Sequence, residues 1–296
     1  MRKRVLFASK GINCSAFLYV PDNLKRGKKS PAIVMAHGLS GVKEQALTSY
    51  AERFAAKGFI TLVFDYRYFG DSEGEPRSQL FPLEMVEDYR NAISWISNQK
   101  EVDPQRIGIW GTSLSGGLVL YIGAFDKRIK AIVAQVPAIF NPESRYASDP
   151  TEWQKSGEFL MQDRVERYKN GEVNYMKVVD QEGQRCVLPG KAAYEFFTSS
   201  VATAPNWRNQ LTIESLEKTR EFDPVSSISL ISPTPILLIP AERDGLVNPE
   251  SLKLVYDKII GTKAITFLPI THFEIYHEPW LSKAADLALD WYGKYL

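Results

Sequence analysis

The chain has 296 residues, 44% hydrophobic and 24% charged, enough for one large domain with a substantial core, or one domain carrying a sizeable insertion. Lys and Arg number 36 against 35 Asp and Glu, a formal net charge of +1, so no overall field draws the chain to nucleic acid or a membrane surface. No apolar stretch is long enough to span a bilayer, the basic start lacks a signal-type apolar run, and Cys14 and Cys186 sit in no metal-type spacing. A soluble, cytoplasmic protein with two reduced thiols is expected. Two basic clusters, Arg2-Lys3-Arg4 and the one from Lys25 to Lys29, read as solvated loop charge.

In chain order, Val5 to Val20 is strand-like with a turn at Gly11. Ala32 to Ala36 is a continuous apolar run ending at His37-Gly38, as suits a strand buried on both faces. A helix carrying Tyr50, Phe54 and the Ala51/Ala55 pair closes at Gly58. Ile60 to Phe64 is the next strand, and Asp65 to Pro76 a polar, glycine-containing loop. Pro82 opens a helix with apolar residues at helical spacing. Arg106 to Trp110 is a strand running into Gly111-Thr112-Ser113-Leu114-Ser115-Gly116-Gly117 and a helix through Tyr121, and Lys130 to Val136 is another strand.

The alternation then stops. Residues 138–225 read as mostly helical, with a helix start at Asp149-Pro150-Thr151-Glu152, two short strands within Val173 to Leu188 around Gly183, and many large aromatics. Alternation resumes with a strand at Pro235 to Ile239, a helix near Pro249 capped by Asn248, a strand from Ala264 to Leu268 before His272, and a final amphipathic helix. Strands alternating with helices imply an α/β fold with a mostly parallel sheet and right-handed crossovers. The expected division is a core of 1–137 and 226–296 with 138–225 as a cap over the carboxyl ends of the strands, where ligand sites form.

Three candidate groups fall at those ends. Ser113 sits between a strand and a helix with small residues around it, the requirement of a strained turn that exposes a hydroxyl. The usual pattern has glycine where Ser115 stands, a mild departure. The segment lacks the Lys-Ser/Thr ending of a phosphate-binding loop. A serine needs a base, and there are three histidines. His272 directly follows the last strand; His277 precedes a helix-start signature, Glu278-Pro279; His37 belongs to the loop His37-Gly38-Leu39-Ser40-Gly41. His272 is the expected base, with His277 as the alternative. Asp244 follows the strand ending at Ile239 and is the expected orienting acid, with Glu242 as runner-up. The backbone amides of Leu39 and Leu114 are the expected oxyanion donors. Neither metal nor organic cofactor is expected.

These residues together resemble the α/β-hydrolase superfamily, through His37 to Gly41, Asp65 to Ser72 and Gly111 to Gly117. Tyr68 stands where the family commonly has glycine. More narrowly the chain resembles the dienelactone-hydrolase-like, fungal polyketide-transferase-like branch, in Gly111 to Gly117, Tyr194-Glu195-Phe196-Phe197, Trp207-Arg208-Asn209, Pro233-Thr234-Pro235 and His272 to Tyr276. True dienelactone hydrolases use a cysteine where Ser113 stands here. The resemblance implies a serine hydrolase cleaving a carboxylic ester or thioester of a small-molecule acyl substrate. The alternatives are an acyltransferase using the same acyl-serine, a peptidase, and a non-catalytic binding protein. The oligomeric state is left open, a homodimer included.

Overall fold

The computed structural model describes residues 1–139, 141–182 and 184–296. The chain begins with a hairpin, β1 (Arg2–Ser9) and β2 (Ile12–Tyr19), turning through Lys10 and Gly11, both at positive φ. The first basic cluster thus lies in a strand rather than a loop. β1 is the edge of the sheet, and exposed charge on an edge strand discourages pairing with another chain. There follow β3 (Ser30–Ala36), α1 (Leu47–Ala56), β4 (Ile60–Phe64), α2 (Pro82–Ser97), β5 (Val102–Thr112), α3 (Leu114–Phe125) and β6 (Ile129–Gln135). The segment after β6 carries α4 (Pro142–Ser148), α5 (Pro150–Asn170), β7 (Tyr175–Met176), α6 (Lys191–Ser199), β8 (Leu211–Thr212) and α7 (Ile213–Glu221). The chain closes with β9 (Ile236–Ile239), α8 (Pro249–Lys258), β10 (Lys263–Ile265) and α9 (Trp280–Tyr295).

Eight strands form one sheet in the order β1-β2-β4-β3-β5-β6-β9-β10, antiparallel in its first two pairings and parallel from β4 to β10. The apolar runs of the sequence are buried on both faces. Ile33, Met35, Val63, Trp110, Val133 and Leu237 enter a core shared with α1 and α9. Their neighbours along the strands, such as Val34, Leu62, Ile109 and Ile132, enter the core shared with α2, α3 and α8. No helix among the described residues is long and apolar enough to cross a membrane.

Boundaries foreseen at the starts of helices hold because the caps are local. Asp149 accepts the Glu152 amide at 2.9 Å and Asn248 accepts that of Glu250 at 2.9 Å. Two further expectations need correction. The residues from Val173 to Leu188 do not form two paired strands: Tyr175 and Met176 pair with Thr212 and Leu211 instead. Val187 and Leu188 only donate to the carbonyls of Lys177 and Val178. The turn assigned to Gly183 lies outside the described residues. The last strand ends at Ile265, short of Leu268, which keeps a single bridge to Ala241.

Candidate active site

The turn between β5 and α3 is built by close approach. Ser113 sits at φ 54°, a positive value that a non-glycine residue adopts only where its surroundings enforce it. A Cβ at Gly111 would collide with the Ser115 carbonyl, and one at Gly116 would lie 2.7 Å from the Pro137 Cα. The amide of Ser113 donates to the Gln135 carbonyl, its own carbonyl accepts from Ala138, and the turn is thereby tied to β6 and the segment after it.

The sheet delivers the partners. Asp244 follows β9 and His272 follows β10, both at the carboxyl side of the parallel strands. His272 Nε2 lies 3.1 Å from Ser113 Oγ and its Nδ1 lies 2.8 Å from Asp244 Oδ2. Asp244 Oδ1 accepts the amides of Leu246 and Val247 at 2.8 and 3.0 Å, so the whole carboxylate is fixed. His272 is 3% exposed, whereas Ser113 is half-buried and reachable. With an acceptor on one ring nitrogen, Nδ1 carries the proton and Nε2 is left as a base facing a hydroxyl. The two alternatives named from sequence lie elsewhere: His277 and Glu242 are exposed and take no part in this chain of contacts.

His37 is buried, and its Nδ1–H donates to the Gly38 carbonyl at 2.9 Å. Burial holds its pKa down to about 4, so the ring is neutral at ordinary pH and is a wall of the site rather than its base. Gly38 passes so close to the serine that a Cβ there would sit 3.0 Å from Ser113 Cβ. Neither the Leu39 nor the Leu114 amide has an acceptor among the described residues.

The roles of several supporting residues were not foreseen from the sequence. The Ser115 hydroxyl donates to the His37 carbonyl and meets the Tyr66 hydroxyl at 2.6 Å, both in full burial. It clamps the loop to the turn, which accounts for a serine where glycine is usual; the departure from the pattern was the available signal. Lys43 is wholly buried, its Nζ 2.7 Å from Asp65, 2.8 Å from Asp71 and 2.7 Å from Glu44. Burial opposes its charge, but Asp65 and the two other carboxylates more than reverse this and raise its pKa. The same three carboxylates are the one grouping of metal-ligand type among the described residues, and the Lys43 ammonium occupies the point where a cation would bind them. Nothing distinguishes Lys43 by sequence from a solvated lysine.

A cavity of about 640 Å³ opens onto Ser113 and His272. Its far walls come from the segment between β6 and β9, through Trp153, Phe159, Leu188, Phe196 and Phe197 among others. Gln45 Nε2 donates to Ser200 Oγ at 2.7 Å and Asn206 Nδ2 to Asp71 Oδ1 at 2.9 Å, pinning that segment to the core beside the site.

The family model described as X-Pro dipeptidyl-peptidase (S15 family) matches residues 10–267. The quorum-quenching protein AidA of Acinetobacter baumannii is 33% identical over 92% of this chain and 88% of its own length. The thiohydrolase aneE of Aspergillus aculeatus is 32% identical over 80% of this chain and 76% of its own. GrgF of Penicillium sp., named a polyketide transferase, is 28% identical over 73% of this chain and 72% of its own. The crystal structure of GrgF, described as an α/β hydrolase, superposes over 100% of this chain and 99% of that one, with a TM-score of 0.83 at 24% identity. The fold is therefore that of the α/β hydrolases, and the chain belongs to the S15 family described as X-Pro dipeptidyl-peptidase, as an enzyme of the α/β-hydrolase type.

Proposed function

We propose that the protein is a serine hydrolase that cleaves a carboxylic ester or thioester through an acyl-Ser113 intermediate. The observation that carries this reading is the line Ser113 Oγ, His272, Asp244 at 3.1 and 2.8 Å, at one end of a largely apolar cavity. His272 Nε2 takes the Ser113 proton as Oγ attacks the carbonyl carbon. The amides of Leu39 and Leu114 hold the resulting oxyanion, an interaction worth roughly 3 kcal/mol per donor in such sites. Asp244 keeps the imidazolium oriented and stabilised. His272 then protonates the leaving alcohol or thiol. Water deprotonated by the same nitrogen attacks the acyl carbon and releases the acid.

In this reading residues 138–225 act as the cap that shapes the acyl pocket. A second reading is favoured by the aromatic and aliphatic walls of that cavity. A water-poor site lets an alcohol or amine intercept the acyl-enzyme, so transfer shares every step up to deacylation. The relatives named thiohydrolase and polyketide transferase support both outcomes.

The test is covalent labelling. A fluorophosphonate should form a stoichiometric adduct on Ser113, located by mass spectrometry, and the adduct should vanish in Ser113→Ala and in His272→Ala. Product analysis with p-nitrophenyl esters, acyl thioesters and Xaa-Pro anilides, with and without added alcohol, separates hydrolysis, transfer and peptidase activity. An adduct at another serine, or none in a protein that still turns over esters, rules out the proposed nucleophile.

A further inference from the structure

Two groups of arginines stand out in the segment between β6 and β9. Arg164 and Arg167, at the contact of α5 with α7, are neutralised within the protein: Arg164 pairs with Glu217, and Arg167 with Asp163, Glu214 and Glu217. Arg185 and Arg220, together with Arg145, line the same cavity as Ser113. Among the described residues neither Arg185 nor Arg220 has a carboxylate within ion-pair distance. Arg185 lies over the Phe159 ring at 3.8 Å and Arg220 over the Trp153 ring at 3.4 Å, and both rings belong to the cavity wall. Two of the five donors of Arg220 are used, one on Ser156 Oγ and one on the Trp153 carbonyl. Stacking on a ring and bonding to fixed acceptors holds a guanidinium in place while leaving its other edge for a ligand.

Arg145 and Arg220 are close enough to repel. Burial and then the charge of Arg220 lower the pKa of Arg145, and burial lowers that of Arg220. Two carboxylates share the lining, Asp149 and Glu152, but Asp149 is engaged in capping α5 and the guanidiniums outnumber the acids. A cavity that sets the ring-stacked guanidiniums of Arg185 and Arg220 in largely apolar walls is suited to a ligand that brings negative charge.

We infer that Arg220 and Arg185, with Arg145 beside them, form an anion subsite that takes a carboxylate or phosphate group carried by the acyl substrate away from its reacting carbonyl. The inference rests on the acyl-Ser113 reading for the identity of the reacting end, and the anion can belong to either half of the substrate. A carboxylate would sit at the far end of the acyl chain; a phosphate would sit on the leaving group.

Two matched pairs of probes distinguish the sources. Mono-p-nitrophenyl suberate against p-nitrophenyl octanoate places the charge on the acyl chain. Octanoyl-coenzyme A against octanoyl-N-acetylcysteamine places it on the leaving group. In at least one pair the charged member should show the higher kcat/KM. Arg220→Gln and Arg185→Gln should each lower kcat/KM for that member by about tenfold, the loss expected for one charge-assisted hydrogen bond, mostly through KM. The neutral partner should change by less than about threefold. Arg220→Lys should recover part of the loss at reduced salt.

Calorimetric titration of Ser113→Ala with suberate, octanoate and coenzyme A reads the subsite without chemistry. Tighter binding of suberate or of coenzyme A than of octanoate, abolished by adding Arg220→Gln, supports the subsite even if Ser113 proves not to be the nucleophile. Equal preference for charged and neutral probes in wild type and arginine variants overturns the inference. So does a preference for an ammonium-terminated ester, which would assign the polar end of the pocket to Asp149 and Glu152.

Discussion

Replacing Asp244 by asparagine is isosteric, and the structure dictates which way the amide must turn. Asp244 Oδ1 accepts two backbone amides, from Leu246 at 2.8 Å and Val247 at 3.0 Å. In Asp244→Asn the carbonyl oxygen has to remain there, because the reversed amide would set its N–H groups against two others and strand both, at about 1–3 kcal/mol each. The Asn Nδ2 then takes the place of Oδ2, 2.8 Å from His272 Nδ1. A donor at that point makes Nδ1 an acceptor and moves the ring proton to Nε2, which faces Ser113 Oγ at 3.1 Å. A protonated Nε2 cannot take the serine proton. The expected loss in kcat is about ten-thousandfold, the size seen when a triad histidine is held in the wrong tautomer, equivalent to about 5.5 kcal/mol of barrier. Because no hydrogen bond of the fold is lost, unfolding free energy should change by less than about 1 kcal/mol. The assay is kcat on a p-nitrophenyl ester together with urea unfolding. A folded Asp244→Asn enzyme within about tenfold of wild-type kcat would refute the argument and assign the orientation of His272 to some other group.

Two further outcomes follow from the same surroundings. Ser115→Ala strands the buried His37 carbonyl and the Tyr66 hydroxyl. It should cost about 2 kcal/mol in denaturant unfolding and lower kcat more than it changes KM; unchanged stability and kcat would mean the hydroxyl is idle. His37 binds a proton less readily folded, at a pKa of about 4, than unfolded, near 6.5, so acid favours the unfolded chain. Its contribution is intact above about pH 6.5 and declines as pH falls toward 4. Between about pH 7.5 and about pH 5 the wild type should lose about 2 kcal/mol more stability than His37→Gln. Parallel pH profiles in urea unfolding for the two proteins would contradict this.

What sequence revealed, and what it did not, divides along physical lines. The strands from Ala32, Ile60 and Pro235 were legible because burial on both faces leaves an unbroken apolar run, and the caps at Asp149 and Asn248 because they are set within a few residues. Ser113, Asp244 and His272 were named because a chain with three histidines and a parallel sheet leaves few ways to bring a base to the serine. The β7–β8 pairing was not legible: two-residue strands far apart in sequence meet only because the surrounding helices bring them together. The clamp formed by Ser115 and the seat of Lys43 were not legible either, because each depends on partners from distant loops whose approach no local pattern encodes.

One feature of the sheet reaches beyond the site. β6 and β9 are immediate neighbours, Gln135 opposite Ile239, although about a hundred residues separate them in the chain. The intervening segment therefore leaves and re-enters through a single gap, while the spacing of Ser113, Asp244 and His272 is set by strands that never pass through it. The far walls of the pocket and the reacting groups thus lie on separate stretches of chain. Changes confined to residues 141–213 should therefore alter those far walls first and leave the 3.1 and 2.8 Å contacts in place. The cavity residues that pack into the main core, such as Phe197 and Leu211, mark how far such changes can go before the scaffold itself is exposed.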